Sequence, residues 1–356
     1  MADTNSEVYG FTSSLGIDGI RYREVREAPF DLYGLYEPHT PGVFRRLPAA
    51  VAEACNPGVV NESTSTSGGR VRFCTDSDYV ALHAVLPRVW CGDNGAPDGM
   101  AGFDLFVHTG ASYRYYGTFR FQNASEYEAV LRFPDRRLRE IIIHCPLYSS
   151  VEALHIGVQS GAALDHGRRY RIDRPFVSYG SSITQGGCAS HPGNSYQAIL
   201  SNALDCDFLN LGFSGSARGE RAMADYIAGL DMSAFLLDYD HNAPTVEHLR
   251  ETHEAFFSVI RAAHPTLPVL FISKPDTNCY AFGEAGRDTD ARRDVILATY
   301  RRAVEAGDKN VSFIDGDSIF AGSQRDLCTV DGCHPNDAGF LRMADVIGNR
   351  LAPVLL

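Results

Sequence analysis

An all-β sandwich followed by a three-layer α/β/α domain with a parallel sheet is the fold the sequence predicts, on three observations. At 356 residues the chain is long for one hydrophobic core, so two domains are expected. From about residue 70 the texture is one of short strands separated by turn-forming clusters. Near residue 172 that texture stops, and continuous apolar runs begin to alternate with helical patterns. A boundary there divides the chain into domains 1–172 and 173–356.

Residues 1–60 read as irregular, punctuated by aromatic and proline residues. Strands are expected at 70–74, 79–86, 103–107, 114–121, 127–133, 140–145 and 151–158. Clusters of Gly, Pro, Asn, Asp or Ser separate most of them, which suits an antiparallel sandwich or jelly roll. The stretch 63–69 reads as a flexible polar loop, and Arg171-Ile172-Asp173-Arg174-Pro175 as a short linker. In the second domain strands are expected at 176–179, 208–211, 235–239, 269–273 and 311–315. Helices are expected at 195–204, 221–227, 246–263, 288–306 and 337–351. Continuous apolar runs such as Phe235-Leu236-Leu237 fit strands buried on both faces, hence a parallel sheet covered by helices.

Composition removes several functions. The formal net charge of −12 opposes sequence-independent nucleic-acid binding, which needs a basic footprint. It suits a neutral or weakly charged small substrate. The start, Met1-Ala2-Asp3-Thr4-Asn5-Ser6-Glu7, lacks the basic and apolar regions of a signal peptide. No apolar run approaches a membrane span. The nine cysteines (55, 74, 91, 145, 188, 206, 279, 328 and 333) are scattered, without a C-x-x-C pair. They form neither a zinc framework nor a disulfide scaffold. They read as small buried residues of a reducing compartment, and a cytoplasmic location is expected. A homo-oligomer is compatible with the sequence.

Four blocks carry the chemistry. Phe176-Val177-Ser178-Tyr179-Gly180-Ser181-Ser182-Ile183 reads as a buried strand ending in a tight turn into a helix. A serine on such a turn can expose its hydroxyl at the carboxyl edge of a sheet, where backbone N–H groups face developing negative charge. Asn210-Leu211-Gly212-Phe213-Ser214-Gly215 follows the second strand, and Asp238-Tyr239-Asp240-His241-Asn242-Ala243-Pro244 the third. Near the end, Asp331-Gly332-Cys333-His334 sets an aspartate three residues before a histidine, where it can steer the imidazole.

In this order the blocks resemble those of the SGNH hydrolases, also called the GDSL esterase superfamily, over about residues 173–356. The resemblance implies Ser182 as nucleophile, His334 as general base and Asp331 as its orienting carboxylate. It implies an oxyanion hole from the N–H groups of Ser182 and Gly215 and the amide of Asn242. Ser181 stands where the family's aspartate does, and in the third block only Asn242 matches. A β-sandwich ahead of such a domain is similar to the two-domain carbohydrate esterases of families two and seventeen. That likeness implies hydrolysis of short-chain O-esters, O-acetyl groups on plant-derived oligosaccharides foremost. It implies no metal or organic cofactor, and an acetylated oligosaccharide or other small ester as the partner. Gln185, Arg218 and His241 are candidates for touching substrate.

Each residue has a plainer reading. The Asp331–His334 segment could be only a helix-entry loop capped by Asn336. Gly215 could be only a turn glycine. Asp238, Asp240 and His241 lack the second ligand group of a metal site, so Asp238 reads as a buried support and His241 as lining the site. Arg218 and Glu220 could form a solvated pair. Trp90, Tyr113, Tyr115 and Tyr116 could stack on sugar or simply pack. Cys188 has no histidine partner at a recognisable spacing and reads as inert. The competing functions are a lipase or thioesterase for long acyl chains, which needs an apolar trough, and an inactive carbohydrate-binding protein.

Overall fold

The computed structural model describes residues 9–275, 288–322 and 324–356. The acidic start and Cys279 lie outside the described residues. The chain divides into two compact units. The first comprises residues up to Arg46, Thr64–Tyr170 and Ser190–Gly193. The second comprises Leu47–Ser63, Arg171–Ala189 and Asn194–Leu356. Leu47–Ser63 and Ser190–Gly193 thus group with the unit on the other side of a break near 172.

The elements begin with strands β1 (Ile20–Glu24) and β2 (Asp31–Tyr33) and short helices α1 (Ala49–Cys55) and α2 (Pro57–Glu62). These lie in the stretch expected to be irregular. They are short, and only Ile20 and Tyr22 of β1 alternate inward against Arg21 and Arg23, too brief a period to stand out. Strands β3 (Arg70–Thr75) and β4 (Tyr79–Val85), helix α3 (Pro97–Ala101), and strands β5 (Phe103–His108), β6 (Tyr113–Phe119), β7 (Glu126–Arg132), β8 (Arg139–His144), β9 (Ala153–Gln159) and β10 (Leu164–His166) complete the first unit.

This unit is a β-sandwich. One antiparallel sheet runs β1-β9-β4-β7; the other runs β10-β3-β8-β5-β6, with β2 on β3. Its core shows the period of two that a strand imposes. Val71 and Phe73, Val80, Leu82 and Ala84, Ile141 and Ile143, and Leu154, Ile156 and Val158 all point inward. The polar stretch 63–69 is not a loose loop. Ser65 and Thr66 are buried, and their hydroxyls donate to the carbonyls of Tyr148 at 3.1 Å and Pro146 at 3.0 Å. Of the four aromatics read as stacking on sugar or simply packing, Tyr113 is buried and its hydroxyl accepts from Arg72. Trp90, Tyr115 and Tyr116 are exposed; Trp90 stacks on Tyr148 and Tyr115 on His191.

The second unit alternates β11 (Ile172–Gly180), α4 (Ser182–Gln185), α5 (Tyr196–Leu204), β12 (Cys206–Gly212), α6 (Arg221–Ala228), β13 (Ala234–Asp238), α7 (Val246–Ala263), β14 (Val269–Ile272), α8 (Thr289–Glu305), β15 (Val311–Ile314), α9 (Gly316–Ile319) and α10 (Asp337–Leu355). Its five strands are parallel in the order β12-β11-β13-β14-β15, the α/β/α architecture expected. One core joins Val177, Tyr179, Phe235, Leu237, Val269 and Phe271 of the strands to α6, α7 and α8. Ala52 of α1 and Val59 of α2 are buried in the same core, so the Leu47–Ser63 segment is structurally part of this unit. Helices α5 and α10 pack against each other. Asn336 caps α10 through Gly339 N–H, as expected. Among the described residues no helix is long and apolar enough to cross a membrane.

The sheet aligns its strand ends in register. Gly180 pairs across to Gly212 on one side and Asp238 on the other, so the loops after β11, β12 and β13 leave from one level. Glycine is required at the middle position. A Cβ on Gly180 would lie 2.0 Å from the Asp238 carbonyl oxygen and 2.1 Å from Thr184 Oγ1. Gly180→Ala is therefore expected to destabilise the protein by at least about 2 kcal/mol. Urea unfolding measures this, and an unchanged midpoint would contradict the crowding.

Candidate active site

The turn after β11 is built locally. Ser181 Oγ accepts the Ile183 N–H at 3.1 Å, capping the single helical turn of α4. Gly186, at φ +102°, ends it in the left-handed region. Ser182, at the first position of that turn, is 7% exposed.

The loop before α10 folds around a carboxylate. Asp331 Oδ1 accepts the N–H groups of Cys333 at 2.9 Å and His334 at 2.7 Å. Its Oδ2 lies 2.7 Å from His334 Nδ1. The Val330 N–H donates to the His334 carbonyl at 3.0 Å, closing the loop. His334 Nε2 then lies 2.9 Å from Ser182 Oγ. With Nδ1–H donating to Asp331, Nε2 carries the lone pair that can accept the serine proton.

Two further groups flank this line. Gly215 is exposed and holds φ +65°, a conformation glycine adopts without strain. Among the described residues nothing accepts its N–H. Asn242, in the single 3₁₀ turn after β13, donates one amide hydrogen to the Phe213 carbonyl at 3.1 Å. The amide carries a second hydrogen.

Beneath the turn lie two buried carboxyls. Asp238 is fully buried; Thr184 Oγ1 donates to its Oδ2 at 3.0 Å, and its Oδ1 has no partner among the described residues. Burial, followed by the charge of Asp240, holds its carboxyl well above the usual carboxylate range, so it stays neutral. Asp240 is held below that range: burial opposes ionisation, but bonds from His241 and the Lys274 N–H outweigh it. His241 stands at 3.1 Å from Asp240 Oδ1 through Nδ1, and its Nε2 is buried without a partner among the described residues. Among the described residues no three such groups are placed to hold a metal ion. Cys188 is buried, and burial foremost pushes its thiol up to about 12, which suits an unreactive thiol.

One expectation about substrate contact is corrected. Gln185 is fully buried, and both ends of its amide are used internally. Nε2 donates to Glu62 at 2.8 Å and Oε1 accepts the Ser214 N–H at 2.9 Å. Arg218 is exposed, but it lines a cavity of about 410 Å³ beside α6 and α7, with His248, Glu251 and Phe256; Ser182, Asn242 and His334 do not line it. Glu220 accepts from Tyr179 at 2.9 Å and from Asn56, so it is a structural anchor and not a solvated partner of the Arg218 side chain. Sequence reasoning missed Glu62, Asn56 and Thr184. Asn56 and Glu62 lie more than a hundred positions upstream, with no motif to mark them.

The family model described as GDSL-like lipase/acylhydrolase matches residues 173–352. The chain belongs to that family. A second model, the N-terminus of SGNH hydrolase-type esterases, matches residues 20–164 of this GDSL-family protein. Among solved structures it is similar to a Bacteroides ovatus protein assigned to the GDSL-like lipases, with 28% identity, 95% of this chain and 98% of that one covered, and a TM-score of 0.86. The salicylyl-acyltransferase SsfX3 of a tetracycline biosynthetic pathway shares the fold at 19% identity and a TM-score of 0.74, over 94% of this chain and 97% of that one. So does a family two carbohydrate esterase from Clostridium thermocellum in complex with cellohexaose, at 14% identity and 0.60, over 81% and 93%. No curated protein matches the chain. The protein is thus an SGNH hydrolase with an N-terminal domain.

The neutral state of Asp238 has a measurable consequence. As pH rises the unfolded chain loses this proton near the ordinary carboxylate value, whereas the folded protein keeps it. Stability from this group therefore falls with rising pH. Asp238→Asn preserves the neutral shape and removes the linkage. Its stability relative to the unsubstituted protein is expected to rise as pH climbs above the ordinary carboxylate value, in urea unfolding. A pH-independent difference would show that Asp238 is ionised in the fold.

Proposed function

We propose that the protein is a serine esterase for short-chain O-esters, foremost O-acetyl groups on plant-derived oligosaccharides, with the chemistry carried by residues 173–356. The observation that carries the reading is the unbroken line Ser182 Oγ to His334 Nε2 to Asp331, at 2.9 and 2.7 Å.

Ser182 Oγ attacks the ester carbonyl carbon while its proton passes to His334 Nε2. Asp331 stabilises the imidazolium without taking the proton. The carbonyl electron pair moves onto oxygen. The Gly215 N–H, the second amide hydrogen of Asn242 and the Ser182 N–H receive that oxyanion, each such donor contributing about 3–4 kcal/mol. Collapse breaks the bond to the alcohol oxygen, which leaves with the proton from Nε2. Water then attacks the acyl-enzyme by the same route and releases the acid and free Ser182.

The acyl group and the alcohol are assigned on different grounds. The sequence offers no extended apolar stretch to line a trough for a long chain. The shared fold of the cellohexaose-bound carbohydrate esterase favours a sugar as the alcohol. His241, beside Asn242 in the chain and partly exposed, and the exposed Arg218 stay candidates for substrate contact.

Acetate release from acetylated xylan, mannan and cello-oligosaccharides tests the reading, with Ser182→Ala as the blank. Ser182→Ala is expected to lose on the order of 10³-fold or more in kcat while remaining folded. Retained turnover would end the serine mechanism. A preference for p-nitrophenyl esters of eight carbons or more over the acetate would favour a lipase instead. Sugar binding without acetate release would mark an inactive binding protein.

A further inference from the structure

The loop that carries Gly215 is held by side chains drawn from the Leu47–Ser63 segment, which joins this unit from far upstream in the chain. The buried Glu62 of α2 accepts from Gln185 Nε2 at 2.8 Å, and Gln185 Oε1 accepts the Ser214 N–H at 2.9 Å. Gln185 is the last residue of the turn that begins with Ser182. One amide thus couples the nucleophile's turn to the Phe213–Ser214 peptide, one peptide ahead of the one that carries the Gly215 N–H. The other side of the loop is gripped from the same segment. Asn56 Nδ2 donates to the Ser216 carbonyl at 2.9 Å, and the Gly58 backbone packs so close that a Cβ there would lie 2.0 Å from Ser216 Oγ.

We propose that Glu62 and Gln185 are positioning residues that fix the Gly215 N–H for oxyanion stabilisation, with α2 acting as an external brace on the hole. The inference rests on the serine-esterase reading above. The Phe213–Ser214 peptide is tied through Gln185 and the Ser216–Ala217 peptide through Asn56, while Gly215 between them stays exposed, its N–H without an acceptor among the described residues. A preorganised donor acts without reorganisation at the moment of reaction, and a displacement of about 1 Å can cost about a hundredfold.

A thionoester separates this role from mere support of the fold. Sulfur accepts hydrogen bonds poorly, so an intact oxyanion hole turns over p-nitrophenyl acetate faster than its C=S analogue. The ratio of the two kcat/KM values does not depend on how much enzyme is folded. Glu62→Ala is expected to lower that ratio several-fold, and Glu62→Gln, whose amide oxygen still accepts from Gln185, to restore it. Gln185→Glu keeps an acceptor for Ser214 but sets a carboxylate against Glu62, and is expected to lower the ratio also; it serves where Glu62→Ala does not fold. An unchanged ratio in these variants, with the parent active and Ser182→Ala dead, overturns the brace alone. A parent that leaves the oxygen ester intact, or an active Ser182→Ala, overturns the esterase reading and the brace with it.

Discussion

The contact between Ser182 Oγ and His334 Nε2 spans 152 positions of sequence and 2.9 Å of space. Much of the second unit serves to make that possible. The parallel sheet brings the ends of β11, β12 and β13 to one level through the Gly180, Gly212 and Asp238 register. The serine then needs a turn that starts at once, which Ser181 caps and Gly186 terminates. The histidine needs a ring held in one orientation. Asp331 supplies this by binding both the backbone N–H and the ring of the same residue. A carboxylate that fixes a loop and a tautomer together loses little entropy at the moment of reaction.

Below the site, two carboxyls two positions apart have opposite protonation, and the difference follows from what each touches. Asp240 receives backbone N–H groups and the His241 ring and stays charged. Asp238 receives one hydroxyl, that of Thr184, and faces the charge of its neighbour, so it stays neutral. Thr184 lies within the turn that begins at Ser182. The neutral acid, the turn and the strand end therefore form one packed unit, which explains why Gly180 admits no side chain.

The sandwich and the alternating domain were legible because their periods are long and repeated: alternate inward residues in β3, β4, β8 and β9, and continuous apolar strands such as β13. The site blocks were legible because each sits at a strand end or before a helix, where spacing along the chain maps simply onto the sheet edge. Side chains that act through tertiary contact were not. Gln185 looked like a substrate group from its place beside the serine, yet Glu62 and Ser214 take both ends of its amide. The segment Leu47–Ser63 left no trace of its attachment because its buried apolar residues, Leu47, Ala52 and Val59, carry no period that names a partner.

The most direct measurement of the central claim is to find where a serine-directed fluorophosphonate lands. The arrangement predicts one adduct per chain, on Ser182 by peptide mass spectrometry, and its loss in His334→Ala. No adduct, or an adduct on another side chain with Ser182 unmodified, would contradict it.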